Sequence, residues 1–416
     1  MKYLIFLFAA VLGQNLVAAP INVNQKEVVK RVSEKNYKVL ENALKVYQAK
    51  TSIEKARADL LPKLNIWSIA KIIIDPTSII DQIPDMAPFL VPANWFRLEE
   101  VKLLYLAERE GYRALWGNEV HIAKTMYSHL LFDQQLLKHI EISTLDLQKV
   151  HRIVKTREAF GGVKPGTARE IEIRILGLQE DQENLKVLLA QEQDELSYVL
   201  GYPSDDELIL QPIEMPVFES LKPIPAKDYE FRVLSMSPER RQFDHFLSAL
   251  SQVRKEILYS FLGGSNMSRG VAGGIFDNLP TGNGIGFGNG AALKIVDAQK
   301  EVMKTQKLGV EETLKRQLRA VTTQFNSDVA NYANFKRRVE LSRESKEGLL
   351  RRINLGENVD VLELSEASRN QIQAETSLFA VEFRTVISQD RFYRLIFEND
   401  YSMSPPLIDS LKGNKP

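Results

Sequence analysis

Few residues in this sequence combine the type and the spacing that chemistry demands. His121, His129, His139 and His151 follow one another at intervals of 8, 10 and 12, so none forms the i, i+4 pair that holds a metal on one helical face. Gly284, Gly286, Gly288 and Gly290 lack the GK[ST] and the strand-turn-helix setting of a phosphate loop. Adjacent carboxylates such as Glu99 and Glu100 are ordinary on a solvated helix and do not mark an acid/base pair. With no cysteine in 416 residues, thiolate ligands, cysteine nucleophiles, disulfides and lipid attached through cysteine are excluded. The reading is therefore not an enzyme, with no catalytic residue, metal or cofactor. Two polar pairs do have a spacing with physical meaning. Thr167 with Glu170, and Asp360 with Glu363, stand three apart, as in the capping box that opens a helix.

Each pair follows a glycine turn, and each turn follows a long helical pattern. The seventeen prolines leave two wide gaps, Pro92 to Pro165 and Pro280 to Pro405. In the second gap Val310, Leu314, Leu318, Val321, Phe325, Val329 and Tyr332 recur at about the helical period. The first gap shows a similar stripe from Leu115 to Ile140. Helices over about Leu98 to Ala159 and Ala291 to Ile353 would each measure roughly 90 Å at ~1.5 Å per residue, so they must lie side by side in a bundle or coiled coil. The first runs into Phe160, Gly161 and Gly162; the second meets Leu355, Gly356 and Glu357. Glycine supplies the left-handed cap, and both places read as tight turns between antiparallel helices.

Gly161 and Gly356 are 195 positions apart, as are the helix starts near Leu98 and Leu293. The chain is an internal duplication. A first repeat covers 20–201, with an insert at 63–97 and a turn at 160–166. A second covers 229–402, with an insert at 263–290 and a turn at 355–359. Between them, 202–228 holds five of the seventeen prolines and reads as a connector; 403–416 reads as a disordered tail.

Residues 1–19 have the order of a secretory signal: a positive start, a short apolar core and a small-residue end near Ala19. No later stretch is apolar for the length of a membrane helix, so an exported chain is either soluble or held in a membrane by strands. The balance of 54 basic and 54 acidic residues offers nothing to attract nucleic acid. Asn65 to Ile74 and Leu90 to Phe96 are strand-like, and the second insert carries ten of the 22 glycines. Either insert is long enough for two tilted strands of ~10 residues. Trp67, Trp95, Phe96, Phe261, Phe276 and Phe287 are placed to form interfacial girdles, or to pack on one another in a soluble cap.

KNYKVLENALKVYQAKTSIEKARADLLPKL, the segment ending DELSYVLGYP, and LGENVDVLELSEASRNQIQAE, set in this duplicated order, resemble the TolC-type outer-membrane efflux protein family over nearly the whole mature chain. The resemblance implies a mainly α fold whose duplicated long antiparallel helices form a periplasmic α-barrel. It also implies short β-hairpin inserts that give four strands per protomer to a trimeric β-barrel in outer-membrane lipid. It further implies a homotrimeric, passive exit duct for efflux or type I secretion, joined to an inner-membrane transporter by a periplasmic adaptor protein. On this likeness Phe160, Gly161, Gly162, Leu355, Gly356 and Glu357 are the adaptor-contact turns, and Asp360 and Glu363 form an acidic ring at the tunnel mouth. For Asp360 and Glu363, a capping box alone also accounts for the pair. A periplasmic helical scaffold without a pore shares every helical feature and stands as the alternative.

Overall fold

The structure, a computed structural model, describes residues 20–61, 87–203, 206–265, 276, 279–281, 288–355, 357 and 359–407. In chain order these form β1 (Ile21–Val23), α1 (Gln25–Lys35), α2 (Tyr37–Ala58), α3 (Pro92–Ala159), α4 (Thr167–Leu200), β2 (Leu208–Leu210), α5 (Ala226–Met236), α6 (Pro238–Tyr259), α7 (Gly288–Asn354) and α8 (Val361–Ile396). No described helix is long and apolar enough to cross a membrane.

The duplication is visible element by element. α1 and α5 have 11 residues each, α2 and α6 have 22, α3 and α7 have 68 and 67, and α4 and α8 have 34 and 36. The junctions repeat too. Asn36 ends α1's run and caps α2 by accepting from the Val39 N–H at 3.0 Å; Ser237 does the same before α6, accepting from the Arg240 N–H at 3.2 Å. Pro238 and Pro92 occupy the first turn of their helices, where a missing N–H costs nothing. The duplicated 11-residue helices extend the repeat beyond what the sequence pattern suggested, since α5 begins inside the expected connector.

The chain divides into two units. The first holds the described residues up to Arg31, with Ala123–Met215 and Ala333–Phe383; the second holds Val32–Ile122, Pro216–Tyr332 and Arg384 onward. In the first unit one apolar core draws on four helices: Val150 and Val154 of α3, Ile171 and Ile175 of α4, Leu349 and Ile353 of α7, and Leu364 and Ala367 of α8. The same unit contains a two-stranded parallel pairing that the connector's composition did not announce. Ile21, Asn22 and Val23 face Leu208, Ile209 and Leu210. The buried Tyr127 hydroxyl secures it, lying 3.0 Å from the Val23 carbonyl and 2.6 Å from that of Gln211; burial pushes this phenol up to about 12.

In the second unit α6 buries Ala249, Leu250, Val253 and Ile257 against Leu104, Val296 and Met303. Phe276 joins that core with its ring 5.6 Å from Phe246, so it is a packing residue and not part of an exposed girdle. Phe96 rests on Tyr259 at 5.2 Å, while Trp95 and Phe261 are half exposed.

Leu90 to Phe96 is not a strand. Pro88–Leu90 makes one tight 3-10 turn, and Pro92 starts α3. The reason is local: the Asn94 side chain donates to the Pro88 carbonyl at 2.8 Å and the Trp95 indole to that of Phe89 at 2.8 Å, which folds the segment back on itself. Gly288 and Gly290 of the second insert likewise belong to α7. Asn65 to Ile74, Trp67, Phe287, the signal at 1–19 and residues 408–416 lie outside the described residues. Of the expected tail, 403–407 are placed: the Tyr112 hydroxyl donates to the Pro406 carbonyl at 2.8 Å.

Candidate functional site

The site consists of the two turns of the first unit. α3 ends in a Schellman cap. The Gly162 N–H donates to the Arg157 carbonyl at 2.8 Å, and the Gly161 N–H to that of Glu158 at 3.1 Å. Gly161 has φ +71°, a conformation in which a Cβ meets the following carbonyl oxygen. The second turn carries the same six-residue closure: the Glu357 N–H donates to the Arg352 carbonyl at 3.0 Å. Gly356 lies outside the described residues. Corresponding stretches of the two repeats thus close α3 and α7 with the same six-residue hydrogen bond.

Each turn presents an apolar side chain to solvent. Phe160 is 87% and Leu355 79% exposed, whereas Val154 and Ile353, six and two positions earlier, are buried. Each turn thus leaves one large apolar side chain in water beside a glycine.

Arg157 ties the turns together. Its guanidinium donates to the Ile353 carbonyl, and through Nη1 to the Glu357 carbonyl at 3.3 Å. The Ile353 carbonyl is one of the end carbonyls of α7, which lack partners inside the helix and accept readily from a cation, while that of Glu357 belongs to the turn that follows. The counterpart of Arg157 in the second repeat is Arg352, and it acts within its own turn. Its Nε lies 2.8 Å from a Glu357 carboxylate oxygen; that hydrogen bond, the Glu357 charge and the nearby Glu363 raise the guanidinium's proton affinity further.

The start of α4 differs from the expected capping box. Thr167 is the first helical residue and nearly buried, and Glu170 points to solvent. The cap position falls on Gly166 at φ +94°, which has no side chain to accept with. A capping box needs its Ser or Thr in extended backbone before the helix, and Thr167 is already inside it. Glu158 does the work from the other side of the turn. Its carboxylate accepts from the Gly166 N–H at 2.6 Å and the Ala168 N–H at 2.9 Å, and those two bonds hold its pKa below the usual range. At α8 the cap position is Asp360, whose carbonyl accepts from the Leu364 N–H at 3.2 Å. Asp360 and Glu363 are both exposed, one turn apart at the start of α8.

Arg157 and Glu158 are the residues that spacing did not single out. A signal existed for the first: Arg157 and Arg352 both stand four positions before their turn glycine. None existed for Glu158, because the loop of 161–166 decides which backbone groups come within its reach. Among the described residues no group of histidines and carboxylates could hold a metal ion.

The sequence matches no protein-family model and no curated protein. Solved structures do match. The CmeC outer membrane channel of Campylobacter jejuni superposes with a TM-score of 0.73 at 12% identity, covering 94% of this chain and 88% of that one. The outer membrane protein VceC of Vibrio cholerae gives 0.68 at 10% identity, over 89% of this chain and 95% of that one. The open state of the Neisseria gonorrhoeae MtrE outer membrane channel gives 0.66 at 11% identity, over 89% and 88%. Together with the duplicated helices and their matched turns, these superpositions place the chain in the TolC-type outer-membrane channel fold.

Proposed function

We propose that the chain is one protomer of a homotrimeric outer-membrane duct through which solutes leave the cell passively, in efflux or type I secretion. The observation that carries this reading is the pair of equivalent turns in one unit, each with an exposed apolar residue, linked by Arg157. In the duct the turns face a periplasmic adaptor protein, which joins them to an inner-membrane transporter. Phe160 and Leu355 supply apolar contact, while Gly161, Gly162 and Gly356 let a partner's backbone approach closely.

Three copies of Asp360 and Glu363 around an axis put carboxylates near one another and favour cations at the mouth. In this reading residues 63–97 and 263–290 supply the strands of a barrel embedded in outer-membrane lipid; the helical start at Pro92 leaves that role to the residues before it. No reaction is catalysed and no cofactor is used.

The test is fractionation followed by electrophysiology. The protein is expected to sediment with outer membranes, to resist carbonate extraction, and to conduct as a trimer in a planar bilayer with preference for cations. A carbonate-soluble protein without conductance refutes the duct and leaves the periplasmic scaffold.

A further inference from the structure

Helix α4 contains one glycine in its interior, Gly177, where glycine costs a helix about 1 kcal/mol relative to alanine. It makes no turn, and a Cβ built on it meets nothing within 4 Å. It borders a cavity of about 490 Å³ in the first unit, within the range of small-molecule sites.

The opposite wall is α8, which offers Ser365 and Ser368, 4% and 3% exposed. Three buried helical hydroxyls elsewhere in this chain, of Ser128, Thr144 and Thr322, bond back to the carbonyl four residues earlier at 2.8 to 2.9 Å. The hydroxyls of Ser365 and Ser368 do not, and neither has a hydrogen-bond partner among the described residues. Buried polar groups are nearly always satisfied, so two such hydroxyls on one face beside a cavity call for something that fills it.

The charges say what. Arg174 and Arg369 line the cavity, each about two turns into its helix, and neither forms an ion pair among the described residues. Leu178 and Ile372 stand one turn further along, with Leu147 of α3 as the third wall. The one carboxylate, Asp181, is two turns beyond Arg174, roughly 10 Å away along α4. The site is cationic with free hydroxyl donors at one end, apolar in its middle, and closed to a second negative charge at the other end.

We propose that this cavity binds a small organic monoanion with an apolar body. Its anionic group sits between Arg174 and Arg369 and accepts from Ser365 and Ser368, and its body lies against Leu147, Leu178 and Ile372 over Gly177. The proposal does not depend on the chain being a duct.

Naphthalene-2-sulfonate serves as the probe, titrated calorimetrically into the purified full-length protein in a non-ionic detergent, with 2-naphthalenemethanol as the uncharged counterpart. Saturable binding of one sulfonate per chain is expected, with the alcohol at least tenfold weaker. Affinity should fall at least tenfold in Gly177→Leu, which fills open space and leaves the thermal midpoint intact, and at least tenfold in Arg174→Gln/Arg369→Gln. Absence of saturable binding overturns the proposal, including the case in which a second copy of the chain occupies the groove. Sulfonate affinity unchanged in Gly177→Leu overturns the location, and equal binding of the alcohol, or no loss in the double variant, overturns the ligand class.

Discussion

Arg157→Ala removes the only side chain described as bonding one turn to the other. The guanidinium makes two charge-assisted bonds to carbonyls, of Ile353 and Glu357. Bonds of this kind contribute ~1.5–3 kcal/mol each where no solvent competes. Here the Glu357 contact is exposed and water replaces it, so the net loss for the pair is about 1–2 kcal/mol. A two-state arrangement of the turns would then shift by roughly 5- to 30-fold, since 1.4 kcal/mol is a factor of ten. In the duct reading this appears as more open time in single-channel records, with the thermal midpoint little changed. Arg157→Lys should recover only part of the effect, because an ammonium cannot span two carbonyls as a planar fork does. Wild-type open probability in Arg157→Ala, or full rescue by lysine, refutes the assignment of Arg157 as the link between the turns.

Gly161→Ala places a Cβ at φ +71° and should cost about 1–2 kcal/mol in a denaturant melt, whereas Gly162→Ala, whose φ is not positive, should cost less. Glu375 accepts from His139, Arg343 and Gln371 at 2.9 to 3.0 Å, and the His139 bond above all brings it down to about 2. A depressed carboxylate stabilises the fold above its unfolded value near 4.5 and loses that contribution as pH falls toward 2. Thermal midpoints of Glu375→Gln should therefore fall less steeply than wild type between pH 5 and pH 2; parallel curves would contradict this. Arg384 holds Asp328, which is 3% exposed, through the Nε–Nη2 edge of its guanidinium. Arg384→Met leaves that carboxylate with only the Gln324 amide, at 3.0 to 3.1 Å, donating to it, and because Arg384 is itself 45% exposed the change should cost about 1.5–3 kcal/mol in a denaturant melt, while Arg384→Met/Asp328→Leu should recover most of it.

Much of this architecture was legible in the sequence because its determinants are local. Two proline-free stretches with an apolar residue at each helical turn leave the backbone little but long helices, and a glycine ahead of a polar pair marks where each one reverses. The equal spacing of Gly161 and Gly356 exposed the duplication before any contact was known. Leu90 to Phe96 failed for a reason of the same scale: its composition suits a strand, but Asn94 and Trp95 bond back to carbonyls six residues earlier. Other features depend on groups that meet only after folding. Glu158 rather than Thr167 caps α4 because Gly166 is left-handed and sets the loop's path. Three residues near the start pair with three in the connector, and Tyr127 fixes them there. Arg157 and Arg352 occupy the same place in two repeats yet bond differently, one across to the other turn and one within its own. Spacing determined which residues share a helix face and where the chain turns. Which hydroxyl, guanidinium or carboxylate finds a partner is a matter of distances between segments far apart in sequence, and only the packed helices settle those.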